Sequence, residues 1–245
     1  MSRRTSIVNI GAILLISSAA ILCLTTLIDL VLTAIRSSLP TDALKLISIF
    51  QIWFISIIPT SMVIIGLLML AFFGLQANRA NHSRAASPWP KRQSLADALL
   101  ALRAVFAIIS VVVTQVFIRE IVNVMDANYS LFRILTSSMN YVIIFVAICH
   151  LIAQIVALYD ASRVGTVSLV QGIVLVVLHG ITLVGFVALG PVSILLSDLV
   201  GDIELLLFSQ RLYSVFTSIL YIVSLVVRAT WALAIERQIA RTNLD

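Results

Sequence analysis

Two histidines, His150 and His179, and two arginines, Arg103 and Arg228, stand inside runs of otherwise apolar sequence. With Asp29, Asn140 and Gln154 they form the candidate intramembrane polar site of the chain. Polar groups in such runs are costly in a bilayer, so each needs a partner or a purpose. The chemistry open to them is proton or ion passage, haem ligation by the two imidazoles, or hydrogen bonding between helices.

Helical periodicity groups these residues. At about 100° per residue, Thr136, Asn140, His150 and Gln154 fall within a narrow arc of one helix. Ser168, Gln171, His179 and Thr182 lie within about 80° on the next. Thr217, Tyr221, Ser224, Arg228 and Trp231 share a face of the last helix, Ser18, Thr25 and Asp29 a face of the first, and Arg103, Ser110 and Thr114 a face of the third. Lipid cannot satisfy such stripes, so they are expected to face the bundle interior.

His150 and His179 fall near the middle of consecutive helices and are expected to meet at similar depth. That arrangement suits a b-type haem held by two axial nitrogens, or a proton relay. Gly172, Gly180 and Gly185 would ease the approach of a flat ring. No second histidine pair and no cluster of propionate-binding arginines accompanies them, so no cofactor is expected and haem b is the lesser reading. Cys23 and Cys149 lie in apolar runs without ligand spacing, which points away from a metal site. Asp29 is the acidic residue set well inside a span. It calls for pairing with Arg36, Arg119 or Arg211, or for a cation or proton role. Arg103 and Arg228 are expected to snorkel to the headgroups.

The elements that must position these groups are membrane helices. The chain of 245 residues is 61% hydrophobic and 11% charged, with mean hydropathy +1.13. A soluble domain carries roughly 25% charged residues. Six runs exceed the length of about 20 apolar residues that crosses a bilayer, at residues 7–35, 46–75, 96–122, 131–159, 167–197 and 207–235. The expectation is an all-α, polytopic bundle of six spans arranged as three antiparallel hairpins, forming a single transmembrane domain over 1–245. The first run is too long for a cleaved signal and is expected to be retained. The second, fourth and sixth runs end in similar polar-then-arginine sequences, a weak sign of a repeated hairpin. Pro59 and Gly190-Pro191 are candidate kinks, and VSILLSDLV after Pro191 could leave the span for the outer interface.

The long polar break Gln76–Gln93 sets orientation. With six spans it shares a side with both termini and residues 160–166. That side carries nine of the sixteen Lys/Arg, the opposite side five, and Arg103 and Arg228 lie within spans. The positive-inside rule then places the termini and the basic loop in the cytoplasm, in the plasma membrane or its equivalent. Arg79, Arg84, Trp89, Lys91 and Arg92 of the loop are expected to contact anionic lipid headgroups or a partner. Nucleic acid is not an expected ligand.

No phosphate-binding glycine loop, HExxH, GxSxG or Cys/His cluster is present, and the chain leans away from being an enzyme. The leading expectation is a non-catalytic membrane component, a subunit, scaffold or partner-binding protein of a larger assembly or homo-oligomer. A small transporter, permease subunit or channel using the polar stripes is the alternative, and haem redox or lipid chemistry the third. Orientation is testable at once. Neutralising Arg79, Arg84, Lys91 and Arg92 together should yield inverted or mixed topology, read by labelling cysteines introduced near each terminus.

Overall fold

The computed structural model describes residues 3–35, 40, 56–80, 89–90, 92–121, 127–164, 169–200 and 203–242, with the side chains at 3–6, 29, 33–35, 79–80, 114–121, 127–137, 164, 186, 188–200, 203–214 and 239–242 outside the description. Among these residues the helices are α1 (Arg3–Ile35), α2 (Ile58–Ala80), α3 (Gln93–Ile121), α4 (Ala127–Val164), α5 (Leu169–Val200) and α6 (Ile203–Thr242). No strand occurs among them.

Among the described residues, five helices carry stretches long and apolar enough to cross a membrane: Ile7–Leu32, Ile58–Asn78, Gln93–Val113, Ser138–Arg163 and Val215–Gln238. In α5 the apolar stretch among the described side chains is Leu169–Gly185, within a helix that continues to Val200. It runs through Gly190-Pro191 as helix, so VSILLSDLV stays part of α5. The polar break is also shorter than the sequence suggests. Helix α2 extends to Ala80 and α3 opens at Gln93, because Gln, Ala, Asn and Arg are all tolerated in a helix that has left the apolar layer. Pro59 stands in the first turn of α2, directly after a π turn at 56–57. The wider winding accommodates the N–H that proline lacks, and the Pro59 carbonyl accepts a 2.8 Å hydrogen bond from Ser18 Oγ on α1.

Each helix packs on its neighbours in the chain, and α6 closes onto α1. The helices therefore form a ring in chain order, and the expected hairpins do not stand apart from one another. Residue pairs show antiparallel packing. Gly11 meets Gly66 while Ser18 meets Pro59, and His150 meets His179 while Leu158 meets Gly172.

The apolar sequence is used on both sides of each helix. Helix α1 buries Val8, Ala12, Leu15 and Ala19, and turns Ile10, Ile13 and Ile16 outward. Large side chains dominate the outside: Ile13 and Val31 are each 61% exposed, Phe145 66% and Val184 68%. A helix apolar all round belongs in lipid, where these residues meet acyl chains. The smaller residues let backbones approach. A Cβ on Gly66 would lie 3.0 Å from the Gly11 carbonyl oxygen, so the α1–α2 seam has no room for a side chain there.

Gly66→Leu should thus part α1 from α2. The expected cost is about 1–3 kcal/mol of overpacking strain, seen as a melting temperature several degrees lower in detergent. Ile65→Leu, on the lipid side of the same turn, should leave it unchanged.

Candidate functional site

Arg228 is the organising side chain of the ring interior. It lies on α6 with Asp97 on α3, and these two helices are not packed neighbours; the pair reaches across the ring. Arg228 Nε donates to Asp97 Oδ1 at 2.6 Å and Nη2 to Oδ2 at 2.5 Å, and both side chains are 2% exposed. This two-pronged geometry is the strong form of a charge-assisted hydrogen bond. The guanidinium also lies 5.6 Å from the Trp89 ring centroid and 5.3 Å from that of Trp231. Two indole faces thus help to offset the loss of water around the cation.

The layer is extended by amides. Gln93 Nε2 donates to Asp97 Oδ1 at 3.1 Å and to Gln154 Oε1 at 3.3 Å, and Gln154 Nε2 returns a bond to Gln93 Oε1 at 3.2 Å. The network therefore joins α3, α4 and α6. The segment before α3 is folded under it. Trp89 is fully buried and makes an edge contact with Phe73, with centroids 5.2 Å apart. It fits there because α2 has Gly74 opposite: a Cβ at that position would collide with Trp89 Nε1 and Ser94 Oγ. Arg228 Nη1 and Trp231 Nε1 are buried donors without an acceptor.

One turn along α4 from Gln154, His150 meets His179 of α5. Their rings are 4.5 Å apart, centre to centre, in an edge-to-face arrangement, and both side chains are buried. His179 Nδ1 donates to the Leu175 carbonyl at 2.7 Å, which fixes its tautomer because a carbonyl only accepts. Among the described residues, His179 Nε2 and His150 Nδ1 have no hydrogen-bond partner, and the two rings meet edge to face. Among the described residues, no three His, Cys, Asp or Glu side chains are grouped to hold a metal ion.

Beyond this layer lies a partly open cavity of about 240 Å³. Its polar lining is Thr60 of α2, Arg103 of α3, Thr182 of α5, and Thr217, Ser218 and Tyr221 of α6. Four helices of the ring contribute, which places the cavity inside it. Gly74 marks the level of Trp89 on α2, and Thr60 is about 21 Å away at 1.5 Å per residue. The cavity and the ionic layer are therefore stacked along the bundle.

Of the residues expected to form the polar site, His150, Gln154, His179 and Arg228 are buried together along one side of the interior, and Arg103 lines the cavity. Arg228 does not snorkel, because Asp97 and two indoles hold it within the protein. Asn140 is exposed. It sits about 80° round α4 from His150, and the buried face of that helix follows His150 and Gln154. Trp89 is buried and makes neither of the surface contacts expected for it, while Arg92 is exposed. Arg84 and Lys91 lie outside the described residues, and Asp29 and Arg79 belong to helices but their side chains do not enter the description. Asp97, Gln93 and the docking of Trp89 are what sequence reasoning missed.

No family model, curated protein or solved structure matches this chain.

Removing one partner of a buried pair leaves an uncompensated charge, at a cost of about 3–5 kcal/mol. Asp97→Asn should accordingly lower thermal stability sharply in detergent. The double variant Asp97→Leu/Arg228→Met should recover most of that loss, so that the two substitutions are strongly non-additive in a melting series.

Proposed function

We propose that this is a multi-pass membrane protein that binds a small polar solute at the centre of its helix ring and transports it. The supporting observation is the 240 Å³ cavity lined by Arg103 and five hydroxyl side chains from four helices. These groups border a common volume, stacked on the Asp97–Arg228 layer. In this reading all six helices span the membrane with both termini in the cytoplasm, as the bias of Lys/Arg favours. The ionic layer lies at the end shared by the N-terminus of α1 and the basic stretch, so it forms the cytoplasmic seal, and the cavity lies on its far side. The plasma membrane or its equivalent is the proposed location, with Arg92 and the neighbouring basic residues on anionic lipid.

A non-catalytic subunit or scaffold is the second reading. It is favoured by the outward face of α4, where Asn140 and Tyr141 are exposed and Tyr141 reaches 74% exposure. A membrane-protein partner or a second copy would cover those polar atoms.

Reconstitution separates the two. Proteoliposomes tested by osmotic swelling against small anions, polyols and amino acids should show protein-dependent entry of at least one solute. Ala107→Trp, which fills the cavity from α3, should cut that entry at least tenfold while the protein still elutes as a single species. No entry for any solute, together with a stoichiometric partner recovered from native membranes, would replace transport by the subunit reading.

A further inference from the structure

We infer that α1 and α2 together hold one anionic phospholipid, its acyl chain in a groove between the two helices and its headgroup at the level of Arg3 and Arg4. This site is separate from the cavity inside the ring and stands whether or not that cavity carries a solute. Three features carry it.

The first is shape. A groove of about 320 Å³ opens on the outside of the α1–α2 seam. Among the described residues it is lined by Ile7 of α1 and by Ile65, Leu68, Met69 and Phe72 of α2. The four α2 positions follow i, i+3, i+4 and i+7, which is a single stripe of a helix. Ile65, Leu68 and Phe72 are each about half exposed, so the stripe is open to whatever surrounds the ring. It runs for about 10 Å at 1.5 Å per residue. One leaflet contributes about 15 Å of a hydrocarbon core of roughly 30 Å, so the groove can follow most of one chain.

The second is the register of the two helices, which places charge at the end of the groove. Gly11 meets Gly66, and Ser18 meets Pro59, seven residues on along α1 and seven back along α2. The same antiparallel register brings Arg4 level with Phe73 and Arg3 level with Gly74, directly beyond Phe72. The apolar span of α1 begins at Ile7, so both arginines stand where headgroups begin. Residues 1–11 and 66–80 carry Arg3, Arg4 and Arg79 and no Asp or Glu. An anionic headgroup at this end therefore meets positive charge from both helices, each arginine worth about fivefold in binding.

The third is the chemistry of the lining, which selects the occupant. All five side chains are apolar and offer a polar solute no hydrogen bond. Helices that associate within a bilayer use small residues and polar side chains at the contact, and these five supply neither. Gly11 and Gly66 are already spent on each other inside the seam. A flexible acyl chain, by contrast, follows an uneven wall of Ile, Leu, Met and Phe without needing a matching surface.

The test uses the full-length protein, delipidated in detergent and titrated with phosphatidylglycerol or phosphatidylcholine, with bound lipid counted by native mass spectrometry. Wild type should take up one phosphatidylglycerol per chain, saturably, with at least tenfold preference over phosphatidylcholine. Leu68→Trp, which fills the groove from α2, should weaken that binding at least tenfold. Val184→Trp, on the exposed face of α5, should leave it unchanged. Arg3→Gln/Arg4→Gln should reduce the preference to severalfold or less without altering phosphatidylcholine binding; Leu68→Trp keeps the test if that variant does not insert. Equal affinity of wild type for the two lipids, or uptake that does not saturate, would overturn the inference. So would phosphatidylglycerol binding that persists unaltered in Leu68→Trp. A dimer that Leu68→Trp converts to monomer would overturn it as well, by giving the groove to a second copy of the chain.

Discussion

A carboxylate and a guanidinium placed inside a helix ring, away from water and lipid headgroups, must find each other or be neutralised. Asp97 and Arg228 do so across the ring, between helices that do not otherwise pack together. The desolvation of two such charges offsets much of their attraction, so the net stabilisation by the pair is small beside the cost of removing one partner. Its geometry restricts the alternatives. Rotating α6 by one residue would swing Arg228 about 100° from Asp97, break both hydrogen bonds and remove Trp231 from the cation. Sliding α3 by one turn would break the Gln93–Gln154 exchange as well. One interaction thus sets the register of α3, α4 and α6 together.

The rest of the molecule follows from separating two kinds of apolar contact. Outside, large side chains such as Phe145 and Val184 meet lipid, which offers them nothing that a neighbouring helix would not. Helix association therefore depends on close packing and on polar contacts. Gly11 against Gly66 supplies the first kind. The Ser18–Pro59 bond, the amide exchange and the ionic layer supply the second. Gly74 combines both, since its missing side chain is the space that admits Trp89 beneath the layer.

The helical class and the presence of several membrane-length apolar helices were legible in the sequence because apolar length is a direct consequence of bilayer thickness. The facing of His150 and His179 was legible too, since helical period and a short connection fix both angle and depth. Asp97 was not, for a physical reason. It stands one turn from the start of α3, where an acidic residue reads as solvated, and nothing local signals a partner 131 residues away. Trp89 was misread for the same reason. An aromatic flanked by prolines and basic residues resembles an interfacial anchor until Gly74, on another helix, is seen to leave a hole for it. The cavity lay beyond reach altogether, because it is made by the relative placement of four helices. The closest available signal was the pairing of Arg228 with Trp231 one turn apart, a cation and an indole on the face that also carries Ser224.

The separation of Asp97 and Arg228 along the chain also bears on biogenesis. A ribosome adding about 5–20 residues per second takes roughly 7–26 s to go from Asp97 to Arg228, 131 residues later. During that interval the acid of α3 still lacks its final counterion. Gln93 is in the same helix and Gln154 arrives earlier than Arg228, so the amides can attend the acid first. Helix insertion is thereby separated in time from ring closure. A nascent chain stalled before α6 would present an unmatched carboxylate within the membrane, the kind of mark by which an incomplete product differs from a finished one.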